Sequence, residues 1–327
     1  MFKKSLLVLL YSVSTYAHAG FDIVTLGSKG GIQDGNLTAF LLKDSDEQNY
    51  IALDAGTIIN GLIVADQQQA FKDLNVPPHS PYTKIGYLLR EKIKGYFISH
   101  AHLDHLAGMI IASPDDSHKN IYGLASVNDT ITETYFNWKA WPNFGNRGQG
   151  YQLGKYNYTD LSSQDWLPIK NTNLQVKALP LSHAGVESSA FIIKNNQKQI
   201  VAYLGDTGAD RIEKSDLLNS LWSTLTPYIK NKQLKGIMIE TSFSNDVAER
   251  SLYGHLTPKL LLEELTQLEN KVGDKGALTG LPIVITHIKY SLLKQSDPQT
   301  MIQQQLNADN NIGVIFHFPA QGDHFQL

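Results

Sequence analysis

The chain has 327 residues, a formal charge of −3 and an apolar fraction of 42%. That suits one large domain or two small ones with an ordinary core. It contains no cysteine, which excludes disulfides, thiolate metal ligands, cysteine nucleophiles and a lipid anchor on cysteine. An acidic chain is also a poor general binder of long polyanions, whose affinity leans on many Lys and Arg contacts.

In chain order, Lys3 and Lys4 precede an apolar run, Leu6 to Leu10, and Ala17-His18-Ala19 fits the small-x-small cleavage rule. The run is shorter than the ~20 residues of a membrane span. Residues 1–19 therefore read as a cleaved signal peptide rather than a buried first helix. The expectation is an exported protein without a membrane anchor, periplasmic in a Gram-negative bacterium and secreted otherwise. Losing Lys3 and Lys4 moves the charge to −3 − 2 = −5. Residues 20–327 read as a single domain, with no internal repeat or linker.

Strands are expected at Phe21–Leu26, Leu37–Leu42, Tyr50–Leu53 and Ile93–Ser99. The Gly-rich run Gly27–Gly31 lacks the spacing of a Walker A loop or a GxGxxG fingerprint. It reads as a tight turn, with a phosphate cradle as the alternative. A buried helix starts around Leu106–Ile111, and another is expected over Val127–Trp138. From Tyr135 to Trp166, nine aromatic residues are scattered among Gly, Asn and Gln, which reads as a long irregular insertion. Its aromatics could stack on a flat base, make a dimer contact, or pack on themselves. Further strands are expected at Leu174–Leu181, Ala190–Ile193, Ile200–Leu204, Gly236–Ile239, Leu281–Ile285 and Gly313–Phe316. Helices are expected over Asp210–Ile229 (one or two) and Pro258–Leu268. Apolar strands that end in polar clusters and alternate with helices argue for an α/β layered fold.

The densest chemical signal is His100-Ala101-His102-Leu103-Asp104-His105, between a strand and a helix. Neutral imidazole and carboxylate are a common ligand set for divalent metal. Three single residues follow apolar strands in the same manner: His183 after Leu179–Leu181, Asp206 after Val201–Leu204, and His287 after Ile283–Ile285. His255 opens a helix beside Thr257, and Asp54 follows Ile51–Leu53. His79, His118, His317 and His324 have no strand-end partner. No GxSxG motif supports serine acyl chemistry.

The HxHxDH run, a distant His, a distant Asp and a final His resemble the dinuclear pattern of the metallo-β-lactamase superfamily. The longer run from His100 to Met109-Ile110-Ile111-Ala112-Ser113-Pro114 resembles the signature of class II cyclic-nucleotide phosphodiesterases. The resemblance implies an α/β fold, the metallo-β-lactamase-like αββα sandwich of two mixed β-sheets flanked by helices. It implies two divalent metal ions, zinc by default with manganese or iron also acceptable. His100, His102 and His183 would hold one ion, and Asp104, His105 and His287 the other. Asp206 would bridge them. Asp104 thereby counts among the catalytic residues as well as the ligands. Asp54 resembles the superfamily's early aspartate, which orients a ligand histidine, although a turn or helix cap before Thr57 would also explain it.

The implied reaction is hydrolysis of a 3′,5′-cyclic nucleotide, cAMP favoured and cGMP open, to a 5′-monophosphate by a hydroxide shared between the ions. Two ions about 3.5–4 Å apart can ionise one water at neutral pH and neutralise phosphoryl charge. His255 would protonate the leaving oxygen with Glu240 orienting it, a pair resembling elements of the transfer-RNA 3′-processing nucleases. The bland alternative for His255 is a helix-start residue. The partner would be a small cyclic nucleotide and not a nucleic-acid polymer, and a homodimer is left open. Two other readings are a different hydrolase on the same scaffold (a transfer-RNA nuclease or a lactonase) and a periplasmic metal- or nucleotide-binding protein without turnover. Export and acidic charge argue against the nuclease.

Overall fold

The computed structural model describes residues 20–294 and 297–327; the expected signal peptide, 1–19, lies outside the described residues. Among the described residues sixteen strands occur in chain order: β1 (Phe21–Gly27), β2 (Lys29–Gly30), β3 (Ala39–Asp44), β4 (Tyr50–Leu53), β5 (Ile93–Phe97), β6 (Lys119–Gly123), β7 (Tyr156–Asp160), β8 (Leu167–Pro168), β9 (Gln175–His183), β10 (Val186–Lys194), β11 (Ile200–Leu204), β12 (Leu234–Glu240), β13 (Pro282–Thr286), β14 (Ile288–Lys289), β15 (Ile315–His317) and β16 (His324–Gln326). The α-helices are α1 (Ile59–Gln67), α2 (Lys84–Tyr87), α3 (Leu103–Ala112), α4 (Ala125–Thr134), α5 (Asp210–Glu213), α6 (Leu217–Lys230), α7 (Pro258–Val272) and α8 (Pro298–Ala308).

Two seven-stranded sheets form, in the orders β16-β1-β3-β4-β5-β6-β7 and β15-β13-β12-β11-β10-β9-β8. Each is mixed. In the first, β16, β1, β3 and β4 are antiparallel and β4 to β7 parallel. In the second, β8 to β11 are antiparallel and β11, β12, β13 and β15 parallel.

Strand side chains alternate between faces, and the apolar runs here are buried on both. Phe40 and Leu42 of β3 join Phe97, Phe191, Tyr203 and Met238 in the layer between the sheets. Ala39 and Leu41 face outward, where Leu62, Leu106, Met109 and Ile131 from α1, α3 and α4 cover them. In the second sheet Val201 and Tyr203 face inward, and Ile200, Ala202 and Leu204 face Leu221, Trp222, Leu261 and Leu265 of α6 and α7. The result is a helix–sheet–sheet–helix sandwich, as expected. No helix among the described residues is long and apolar enough to cross a membrane.

Three local expectations differ from the structure. Helix α3 starts at Leu103, inside the histidine motif, so Asp104 and His105 lie in its first turn. Helix α4 ends at Thr134, four residues short of Trp138, and the Asn137 side chain accepts from the backbone N–H of Lys139 and Ala140 in the turn beyond it. The aromatic segment 135–166 is only partly irregular. Its β7 pairs with β6, and Phe136, Phe144, Tyr156 and Tyr158 are buried in the core. Those rings pack inward and are not available to a base; Trp138 and Tyr151 remain exposed.

Candidate metal centre

The chain ends of the parallel strands gather on one rim, where open α/β sheets place their sites. β5 leads through Ser99 to His100, β11 leads to Asp206, β12 ends at Glu240, and β13 leads to His287. β9 ends at His183. Backbone dihedrals are unusual here: φ is 52° at Asp54, 48° at Ala184 and 56° at His287. Non-glycine residues seldom adopt this left-handed region, and such outliers cluster at functional sites.

Five overlapping groups of ligand atoms, each within 4.8 Å of one another, unite His100, His102, Asp104, His105, His183, Asp206, His287, His255 and Glu240. The structure thus brings together all seven expected ligands and the two residues expected beside them. His79, His118, His317 and His324 are in none of these groups. Most of the cluster is buried, but His102 is exposed and Asp104 half-buried, so they form the mouth of the centre.

Hydrogen bonds decide which ring nitrogen of each histidine is bare. His183 Nδ1 donates to the Gly254 carbonyl at 2.8 Å. His105 Nδ1 donates to Asp54 Oδ2 at 2.8 Å. Ser99 Oγ donates to Asp54 Oδ2 at 2.8 Å and so accepts from His100 Nδ1 at 3.1 Å. Ser242 Oγ donates to Glu240 Oε2 at 2.6 Å and accepts from His287 Nδ1 at 2.9 Å. Four Nε2 atoms are left without hydrogen, and all of them face Asp206 Oδ2: His287 at 3.1 Å, His105 at 3.3 Å, His183 at 3.8 Å and His100 at 3.9 Å. His105 Nε2 is buried with no hydrogen-bond partner. His100 Nε2 also meets His102 Nδ1 at 3.0 Å.

Bare nitrogens and a carboxylate are all acceptors and repel one another unless a cation lies among them. Ligand atoms on one tetrahedral ion with bonds of about 2.0–2.1 Å stand about 3.3 Å apart, close to these separations. The donor set therefore fits divalent metal, with Asp206 at its centre.

Charge distribution agrees. Burial, reinforced by the neighbouring imidazoles, holds His100 well below the usual histidine range, and burial likewise lowers His102 and His183. These rings are neutral and ready to ligate. Burial opposes protonation of His105 too, but Asp206 and Asp54 outweigh it and raise that group well above its ordinary value, marking where positive charge belongs. Burial would raise Asp206, yet His287 and His105 hold it well below the usual carboxylate range. Asp104 is likewise held low against burial, by the His287 ring, whose Nε2 lies 3.1 Å from Oδ2, and by the charge of His105.

Glu240 is fully buried and accepts five hydrogen bonds: from His255 Nδ1 at 2.7 Å, Ser242 Oγ at 2.6 Å, and the N–H groups of Ser242 at 3.0 Å, Thr207 at 3.2 Å and Leu256 at 3.3 Å. Burial pushes its carboxyl up, but His255 outweighs burial and holds it below the usual range. Burial works against protonation of His255, and Glu240 and Asp206 overcome it to raise that group. Asp54 orients rather than caps. Besides His105 and Ser99 it accepts from Tyr203 Oη at 2.6 Å.

The Gly27–Gly31 run is more than a turn. Lys29–Gly30 pairs with Ile288–Lys289, and Gly31 N–H donates to Asp104 Oδ2 at 2.8 Å. A Cβ on Gly30 would stand 2.2 Å from the His287 ring, so only glycine fits there. Sequence reasoning misses Ser99, Ser242 and Tyr203. Ser99 could have been noticed beside His100, whereas nothing in the sequence links Tyr203 to Asp54.

Comparison with known proteins agrees in family and fold. The family described as cAMP phosphodiesterases class-II matches residues 21–322. A 3′,5′-cyclic-nucleotide phosphodiesterase of Aliivibrio fischeri is 54% identical, covering 100% of both chains. A probable 3′,5′-cyclic-nucleotide phosphodiesterase of Yersinia pestis is 41% identical over 98% of this chain and 93% of its own. Among solved structures, unliganded yeast PDE1 superposes with a TM-score of 0.79 at 24% identity, covering 94% of this chain and 100% of that one. The metallo-β-lactamase fold protein YhfI of Bacillus subtilis gives 0.60 at 15%, covering 94% and 99%.

Proposed function

The chain belongs to the cAMP phosphodiesterases class-II, and on that premise we propose that its histidine-lined centre hydrolyses 3′,5′-cyclic nucleotides to 5′-monophosphates with cAMP as the preferred substrate. The observation that carries this reading is the convergence of four bare imidazole Nε2 atoms on Asp206.

His100, His102 and His183 would hold one divalent ion, and Asp104, His105 and His287 the other, with Asp206 between them. Zinc is the proposed metal, although the same donors accept manganese or iron. When bound, such ions acidify water towards a pKa of about 7 and neutralise charge on phosphoryl oxygens. The chain supplies the rest. Asp54, Ser99, Ser242 and Gly254 keep the ligand nitrogens bare and aimed, and Gly31 N–H holds Asp104. His255, with Nδ1 tied to Glu240, keeps a proton on Nε2 for the departing O3′ of the ribose. Glu240 stabilises the charged ring that this requires.

Incubation of purified protein with cAMP and with cGMP, followed by chromatography of the products, tests the reading. 5′-AMP formation faster than 5′-GMP formation is expected. Equal or faster cGMP turnover overturns the preference, and turnover of neither overturns the substrate class.

We also propose export through residues 1–19 to the periplasm of a Gram-negative cell. Cell fractionation and N-terminal sequencing test this: a periplasmic protein starting at Gly20 is expected, and a cytoplasmic protein that keeps its first residues overturns it.

A further inference from the structure

Of the seven expected ligands, His183 alone stands at the tip of a hairpin. Strand β9 ends at His183 and β10 begins at Val186, which leaves a two-residue turn, Ala184-Gly185, exposed to solvent. There φ is 48° at Ala184 and 85° at Gly185. A two-residue turn with both φ values positive prefers Asn, Asp or Gly in its first place, so alanine holds that conformation at a cost. An exposed tip of this kind needs an outside hold if the ring beside it is to stay aimed.

Glu213, the last residue of α5, supplies that hold. Its Oε2 accepts from Ser182 Oγ at 2.9 Å and from Ala184 N–H at 2.8 Å, one on each side of His183. Its stem crosses Gly208, two residues past Asp206, where a Cβ would stand 2.6 Å from Glu213 Cγ. Helix α5 is itself fixed. Asp210 N–H donates to Glu264 of α7 at 3.0 Å, and the Asp210 carboxylate accepts from the N–H groups of Leu218 and Asn219 at the start of α6. Arg211 donates to Glu249 at 3.1 Å, in the turn that precedes Gly254, whose carbonyl takes the Nδ1 hydrogen of His183. One helical turn thus reaches His183 from two directions: directly at the hairpin tip, and through the segment that holds its ring.

Asp206 is anchored by other means. Thr207 N–H donates to Glu240 Oε1 at 3.2 Å, and Gly205 N–H to the Ser189 carbonyl at 3.0 Å. Loss of Glu213 would therefore release the hairpin tip and leave Asp206 in place. We infer that Glu213 is a positioning residue: it sets the His183 ring against Asp206, 3.8 Å away at Nε2, and so governs the ion that His100, His102 and His183 would hold. The inference rests on the two-ion reading of the centre.

Zinc competition on the full chain tests it, with graded chelator and bound metal counted per chain. Glu213→Ala should weaken retention of one ion about tenfold, the low end for a partner behind a ligand, and leave the other ion as in wild type. Glu213→Gln keeps an oxygen that can accept both hydrogen bonds and should restore wild-type retention. Gly208→Ala keeps the carboxylate but places a methyl against its stem, and should reproduce the loss of one ion. Retention of both ions by Glu213→Ala, equal weakening of both, or failure of Glu213→Gln to restore the loss overturns the role, since general destabilisation would not select one ion. Wild type separates the two claims. If wild type holds two ions and Glu213→Ala releases both as wild type does, only the role of Glu213 falls. If wild type never holds a second ion, the two-ion reading falls and takes the role with it.

Discussion

Ser99 and Ser242 hold matching places on the two sheets. Each follows a central parallel strand, donates its hydroxyl to a buried carboxylate and receives the Nδ1 hydrogen of a ligand-type histidine: Asp54 and His100 for Ser99, Glu240 and His287 for Ser242. Each relay fixes a tautomer, because the hydroxyl has only one hydrogen and the carboxylate has already taken it. Ser99→Ala and Ser242→Ala should each weaken metal retention about 10–100-fold, the usual cost of losing a partner behind a ligand. Chelator competition on folded protein measures this, and unchanged retention in both variants would show that the relays are idle.

Gly30 tests how tightly the centre is walled. A methyl group there would meet the His287 ring at 2.2 Å. Gly30→Ala should displace His287, lower metal content and collapse turnover while circular dichroism stays native. Full metal content and activity would mean that the strand pair yields freely and the wall is not tight.

His255→Ala should lower turnover of cAMP about 10²–10⁴-fold, the range of general acid catalysis, with metal content retained. Its partner variant Glu240→Gln should lose metal as well, since Glu240 also backs Ser242 and His287. A negligible effect of His255→Ala would remove that residue from the mechanism.

The N- and C-terminal strands carry a pH-dependent contact away from the centre. Asp22 accepts from Lys43 Nζ at 2.5 Å and from Gln326 Nε2 at 2.7 Å. Burial pushes its carboxyl up, but hydrogen bonds from His324, Lys43 and Gln326 together outweigh it and leave it well below the usual range. A depressed carboxylate contributes stability that is complete above the unfolded value of about 3.9 and is lost as pH falls through the folded value. Urea unfolding of wild type and Asp22→Asn should therefore differ at pH 7, and the difference should begin to shrink only below about pH 4 and go on shrinking as pH falls further. A difference that is constant or grows on acidification contradicts the assignment.

Much of the centre can be read in the sequence because ligand types are rare at strand ends. Four of them fall within His100–His105, and His183, Asp206 and His287 each follow an apolar run. The relays cannot be read, because they depend on which strand lies beside which. Leu53 pairs with Phe97 and Glu240 with Thr286, and only that register brings Asp54 to Ser99 and Glu240 near His287. Lys29–Gly30 becomes a strand only by meeting Ile288–Lys289, more than 250 residues away, so no local pattern announces it. In β7 the buried Tyr156 and Tyr158 alternate with Asn157 and Thr159, a two-residue period obscured by the Gly- and Asn-rich loop before it.

Stripping the purified protein with a strong chelator, then restoring zinc in steps while following both bound metal and cAMP turnover, tests the central claim most directly. The arrangement predicts that stripped protein stays folded and inactive, and that activity returns as two ions per chain are bound. Undiminished turnover after stripping, or a chain that saturates without a second ion, would contradict it.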